Sequence, residues 1–262
     1  MTEISASKPS FDLTDRVVIV TGGAKGIGKV YSTRLAEAGA RVVMADIDAE
    51  ANRALASELQ GRGLEAVEIA TDVSSPDRTR AMAKTAIDRW GRIDGLINNA
   101  SLMSVLARRA WTEIDVEEWD RVMAVNLRGI FLCCRAVYPQ MKQQGGGKII
   151  NIASSRVWEG TPNRLHYTTS KAGVVGLTRA LAREVGDDNI AVNAISPGFT
   201  MSETQVASSS NQHIASRAAL NKCFNRSQVP DDLVGCVMFL LSDASNYMTG
   251  QTINIDGGHM MH

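Results

Sequence analysis

Neither charge is in excess in this chain. Lys and Arg number 28 against 28 Asp and Glu, so no basic field points to nucleic acid and no acidic tail to a solvating role. Cysteine is scarce, four in 262 residues, with no CxxC pair and no His spacing of a zinc site. Cys133, Cys134, Cys223 and Cys236 are therefore expected to pack as small apolar residues in a reducing compartment, and no metal is expected. No apolar run reaches the ~18 residues of a membrane span, and the most apolar stretch, GIFLCCRAVY, is broken by Arg135. The opening MTEISASKPS has neither an apolar signal core nor an Arg-rich amphipathic pattern, so residues 1–10 are expected to form a short disordered lead. Repeats and low-complexity linkers are also missing. The expectation is a cytoplasmic protein that meets a small molecule rather than nucleic acid or a membrane.

Short Val- and Ile-rich runs alternate with longer amphipathic ones. Strands are predicted at 16–21, 41–46, 65–72, 94–100, 148–154, 190–196 and 251–256. Between them lie helical patterns, the longest spanning 116–143 and 164–185. That alternation predicts right-handed βαβ crossovers: an α/β fold of Rossmann type, doubly wound, with seven parallel strands and helices on both faces of one domain, residues 11–262. The polar, Ser-rich segment 201–228 breaks the rhythm. It leaves the sheet directly after a strand's carboxyl end, which favours a lid over the site against a plain surface insertion.

The first strand runs into TGGAKGIG and then a helix. Gly22, Gly26 and Gly28 allow a tight turn and close backbone approach, while the helix start presents free amides to a pyrophosphate, with Ile27 inside the same turn. Asp46 ends the second strand eighteen residues past Gly28. A carboxylate there accepts ribose hydroxyls and repels a 2′-phosphate, which favours NAD; Lys25, a cation in the glycine loop, pulls toward NADP and is outweighed.

Tyr167 and Lys171 are four apart in a helical pattern, so both leave one face of the helix. An ammonium beside a phenol favours the phenolate and lowers a pKa that is ordinarily ~10, and Lys171 is expected to do this for Tyr167. Ser154, thirteen residues before Tyr167 at a strand end, can hydrogen-bond the same substrate oxygen. The pair alone is a weak signal, and its company gives it weight.

Together these motifs make the chain resemble the short-chain dehydrogenase/reductase family over residues 12–258, through Thr21-Gly22-x3-Gly26-x-Gly28, Asn98-Asn99-Ala100, and Ser154, Tyr167 and Lys171 at the family's spacing. The resemblance implies that Asp72 and Val73 hold adenine and that Asn99 lines the cofactor, with Ser101 where the family usually has Gly. It implies that Asn126 completes a catalytic tetrad with Ser154, Tyr167 and Lys171 by holding a water-linked proton path to the Lys. Pro197, Gly198 and Thr200 match the loop at the nicotinamide end. Lys171 would also hold the nicotinamide ribose. The family's long helices commonly pair into homotetramers, with the C-terminal GGHMMH near a second interface.

Substrate in such a sheet lies beyond the strand ends, so Met103, Arg156, Trp158, Asn163, Phe199 and Met201, together with Leu102 and Val105, are expected around it. This set is mainly apolar and suits an aromatic or alicyclic secondary alcohol or its ketone. Arg156 dissents and could pair with an anionic substrate group or be a surface Arg. The stretch IASSRVWEGTPNRLHY is also similar to that of family members acting on aromatic secondary alcohols and on pyridoxal. His166 points off the Tyr face and is expected to be structural. NADPH-driven ketone reduction is the same-class rival, and a catalytically silent NAD sensor the rival of another class.

Overall fold

A computed structural model of the chain describes residues 10–203 and 222–261. Strands β1 (Val17–Thr21), β2 (Arg41–Asp46), β3 (Ala66–Ala70), β4 (Gly95–Asn98), β5 (Gly147–Ile152), β6 (Ile190–Pro197) and β7 (Thr252–Ile255) form one sheet in the order β3-β2-β1-β4-β5-β6-β7. Every neighbouring pair is parallel. Burial follows position: β1 and β6 are buried along their whole length, whereas the edge strands β3 and β7 are only partly covered. Near-continuous Val and Ile without polar alternation is what a sheet covered on both faces requires.

Helices α1 (Gly26–Glu37), α2 (Ala49–Gly61) and α8 (Asp231–Leu241) cover one face, where Val18, Val20, Met44, Leu35, Leu59 and Leu240 share a core. Helices α3 (Pro76–Trp90), α4 (Val116–Met123), α5 (Gly129–Gln143) and α7 (Leu165–Val185) lie on the other, where Ile19, Leu96, Met82, Val137 and Val174 pack together; the short α6 (Arg156–Glu159) precedes α7. Local chemistry sets the helix ends. Asp48 caps α2 by accepting from the Ala51 N–H at 3.0 Å, and α3 starts on Ser75-Pro76 and stops at Gly91 in the left-handed region.

Three expectations change here. The run 116–143 is not one α-helix, because residues 124–128 form a π turn that rotates α5 relative to α4. By length and composition the Val116–Gln143 run could cross a membrane, contrary to the sequence reading, although part of it is buried in the core. The cysteines also divide: Cys133 and Cys134 are core residues as expected, whereas Cys223 is exposed. Residues 1–9 of the expected lead, and 204–221 of the expected lid, lie outside the described residues.

Strand order reverses between β1 and β4, and the crevice at their carboxyl ends is where such sheets bind ligands.

Candidate active site

A cleft of about 830 Å³ opens at that reversal, and the glycine loop forms its floor. Asn99 stitches β4 to this loop: its side-chain amide donates to the carbonyls of Thr21 and Gly22 at 3.0 and 3.1 Å, and its N–H donates to the Thr21 hydroxyl at 3.0 Å. Gly28 has no room for a side chain, since a Cβ there would lie 1.9 Å from the Gly22 carbonyl oxygen. Ser101 does not adopt the left-handed conformation, so the turn after β4 needs no glycine at that position. At the start of α1 the Gly26 N–H donates to the Glu203 carboxylate at 3.1 Å, so the amide already faces an anion. Such an arrangement, with Gly28 leaving the backbone bare, fits the pyrophosphate of a dinucleotide.

Asp46 is buried and accepts from the Ala24 and Asp48 N–H groups, each at 3.0 Å, which aims its carboxylate along the cleft wall. Lys25 bonds the Asp48 carboxylate, and that contact raises its pKa. Asp72 holds its own turn by accepting from the Ser74 N–H and hydroxyl at 2.8 and 2.7 Å. Val73 is buried against the start of α5, where a Cβ on Gly129 would come within 2.9 Å of it. Lys25, Gly26, Ile27, Val73, Asn99, Pro197, Gly198 and Thr200 all line the cleft.

Tyr167, Lys171 and Ser154 meet across the same opening. Ser154 lies in the buried run after β5, and its hydroxyl is close enough to the Tyr167 phenol to favour the phenolate. Lys171 is wholly buried, donates to the Ile152 carbonyl at 2.7 Å, and lies 5.9 Å from the centre of the Tyr167 ring. The expected electrostatics are altered. Burial raises the Tyr167 pKa, and what opposes it is the Ser154 hydrogen bond and the fields of Arg156 and Arg164, not Lys171. Burial also draws the Lys171 pKa down to about 7, so much of its charge is lost near neutrality.

Asn126 sits in the π turn and is fully buried. Its Oδ1 accepts from the Leu102 N–H at 2.7 Å, and its Nδ2 donates to the Leu102 carbonyl at 3.1 Å and the Ser170 hydroxyl at 3.2 Å. Both amide hydrogens are thereby used. The side chain thus clamps the loop after β4 to α7.

On the substrate side Leu102, Met103, Val105, Arg156 and Phe199 line the cleft as expected. Trp158, Asn163 and Met201 do not. Trp158 turns into the apolar core, Asn163 takes a positive φ of 69° in the turn before α7, and the Met201 N–H pairs with the Gln228 carbonyl at 2.8 Å. These three sit where α6 and a backbone bridge redirect the chain, which strand-end counting does not foresee. His166 is buried against Glu118 at 3.1 Å, a structural position. Arg108, Glu159, Lys222 and His259 also line the opening and escaped the sequence reading; for Arg108 the only signal was the ARRA run after the β4 loop.

Residues 22–260 match the family described as Enoyl-(Acyl carrier protein) reductase. The chain is 42% identical over 248 residues to "Probable galactose dehydrogenase GalD" of Rhizobium meliloti (strain 1021), covering 94% of this chain and 96% of that protein. It is 39% identical over 251 residues to the (2S)-[(R)-hydroxy(phenyl)methyl]succinyl-CoA dehydrogenase subunit BbsD of Thauera aromatica, covering 95% and 98%. Among solved structures, a short-chain type dehydrogenase/reductase from Mycobacterium marinum superposes with a TM-score of 0.86 at 35% identity, covering 96% of this chain and 98% of that one.

Proposed function

The chain belongs to the short-chain dehydrogenase/reductase family, and from that premise we propose that it is an NAD-dependent dehydrogenase of a secondary alcohol, aromatic or alicyclic, working reversibly on the corresponding ketone. The observation that carries the proposal is that Ser154, Tyr167 and Lys171 line the same cleft as the glycine loop. The glycine loop, Asp46, Asp72, Val73, Asn99 and Lys171 would hold the dinucleotide, which supplies the hydride acceptor when bound. Asp46 favours NAD because a 2′-phosphate would be driven against its carboxylate, and Lys25 is engaged by Asp48 rather than free to attract that phosphate.

In oxidation Ser154 holds the carbinol oxygen and Tyr167, as phenolate, accepts its proton. The carbinol carbon then gives up its hydrogen with the electron pair, and a carbonyl remains. Leu102, Met103, Val105 and Phe199 exclude water around an apolar substrate body. The name of the Thauera relative describes a benzylic secondary alcohol, a substrate type of the proposed kind. We further propose a homotetramer, supported by apolar side chains left open on the long helices, such as half-exposed Phe131 with Arg135 stacked 5.3 Å from its ring centre.

NADH and NADPH formation by the purified protein across a panel of aromatic and alicyclic secondary alcohols tests the reading. NADH formation on at least one alcohol, with little or no NADPH, supports it. Equal use of both dinucleotides overturns the NAD assignment, and tight NADH binding without any turnover moves the weight to a sensor.

A further inference from the structure

The guanidinium groups of Arg156 and Arg164 lie near Tyr167 and that of Arg108 lies near both, and none forms an ion pair among the described residues. Arg156 stands two residues after Ser154, with its N–H 3.4 Å from the Ser154 hydroxyl oxygen, and its buried Nη1 has no hydrogen-bond partner. Arg164, three residues before Tyr167 and nine-tenths buried, spends its Nη atoms on the Leu106 carbonyl at 3.0 Å and the Met103 sulfur at 3.2 Å, leaving Nε without a partner. Arg108 is exposed and lines the cleft with Arg156. Buried charge is costly unless paired, and this fold leaves buried Arg164 beside half-buried Arg156. Burial lowers the pKa of both, that of Arg164 to about 10, and the fields of Arg156 and Arg108 add to the effect on Arg164.

Glu159 is the carboxylate whose field reaches Arg156. It is engaged elsewhere, by the Thr161 hydroxyl and by the His259 ring at 3.6 Å. Arg156 and Arg108 at the lining therefore have no carboxylate bonded to them among the described residues, and an anionic group matches them. A planar fork beside the reacting oxygen suits the two oxygens of a carboxylate.

We infer that Arg156, assisted by Arg108 and with Arg164 behind it, forms a carboxylate-binding subsite, so that the substrate is a secondary alcohol carrying a carboxylate close to the carbinol. This rests on the dehydrogenase reading only for the word alcohol, since the subsite itself can be tested by binding. The acidic group completes an array that the apolar lining leaves unpaired, and the same cations hold the carbinol end against Ser154 and Tyr167.

The experiment uses the full chain saturated with NADH and titrated calorimetrically with 3-phenylpropanoate and its neutral amide, alongside oxidation of 3-hydroxy-3-phenylpropanoate and the matching hydroxyamide with NAD. The acid is expected to bind at least about ten-fold tighter than the amide, the range of a charge-assisted pair. Arg156→Met should erase that preference while NADH affinity stays, Arg156→Lys should restore part of it, and Arg108→Met, on an exposed side chain, should reduce it less. Equal binding of acid and amide, or an Arg156→Met variant that keeps the preference, overturns the subsite. Tighter binding of 2-phenylethylphosphonate than of the acid overturns the choice of carboxylate. Acid binding that depends on Arg156 without oxidation of either alcohol leaves the subsite standing and removes the dehydrogenase reading. Equal oxidation of both alcohols with equal binding does the reverse.

Discussion

Lys171 Nζ lies 2.7 Å from the Ile152 carbonyl oxygen, wholly buried, with no carboxylate paired to it among the described residues. One neutral acceptor does not compensate a buried ammonium, and burial alone draws its pKa from an ordinary 10.5 to about 7. The sign follows from proton counts: between pH 7 and 10.5 the unfolded chain binds a proton that the folded chain does not, so stability rises with pH across that window. The cost is complete below about 7 and gone above 10.5. Lys171→Met should remove this slope, which approaches about 1.4 kcal/mol per pH unit for a single group. Chemical denaturation of both proteins from pH 6.5 to 9 should show the variant's advantage, or its smaller deficit, shrinking steadily as pH rises. Parallel curves would show that Lys171 keeps its ordinary pKa. The variant should also lose alcohol turnover.

Tyr167 is raised by burial and lowered by Ser154, Arg156 and Arg164, in that order. Oxidation needs the phenolate, so kcat/KM for the alcohol should climb with pH until the phenol is ionised. Arg164→Met removes one cation whose field favours the phenolate, and the rising limb should move to higher pH. Reduction, which needs the phenol, should persist to higher pH in the same variant. An unmoved profile in both directions would separate Arg164 from the chemistry. Tyr167→Phe should lower turnover by about 10²–10⁴-fold while NADH affinity stays nearly constant.

The seven strands were legible because continuous Val and Ile runs such as VVIV in β1 have no polar face to expose, and all seven fall within two residues of their predicted bounds. The glycine loop, Asp46 and the Ser154, Tyr167 and Lys171 set were legible for a different reason: each depends on short-range spacing inside one turn or at one strand end. What spacing cannot carry is desolvation. Nothing in YTTSK reveals that Lys171 is buried beside a carbonyl, so the sequence reading assigned it a full charge where burial draws its pKa down to about 7. The π turn was equally hidden, because VMAVNLRGIFL is an unbroken helical pattern and only the side chain of Asn126 shows why an extra residue is accommodated. Trp158 and Asn163 misled because a four-residue helix and a positive-φ turn re-aim side chains that strand-end counting treats alike.

Asp46 should decide cofactor choice. Its carboxylate is fixed by two N–H groups, so it cannot turn away from a 2′-phosphate without breaking both bonds. Asp46→Asn should lower kcat/KM with NAD and raise it with NADP, changing the ratio by about ten- to a hundred-fold, the scale of one charge-assisted contact. Lys25→Ala should change the ratio far less, because the exposed ion pair with Asp48 already engages that cation. A large effect of Lys25 with none of Asp46 would reverse the assignment.

Asn126 should behave as a positioning residue whose loss is felt in both stability and rate. Its side chain satisfies the Leu102 N–H and carbonyl and the Ser170 hydroxyl, so Asn126→Leu keeps a similar volume yet leaves several polar groups without partners. Each such orphan costs about 1–3 kcal/mol, and a drop in unfolding free energy at the upper end of that range is expected. Leu102 and Met103 line the cleft, and Ser170 neighbours Lys171 on α7, so the released loop should also lower kcat while NADH affinity changes little. Asn126→Asp can still accept from the Leu102 N–H but cannot donate to its carbonyl or to Ser170, so it should recover only part of the stability. A proton-path role would give the opposite split: the Asp variant's rate would recover more fully than its stability, with a rate that depends on pH.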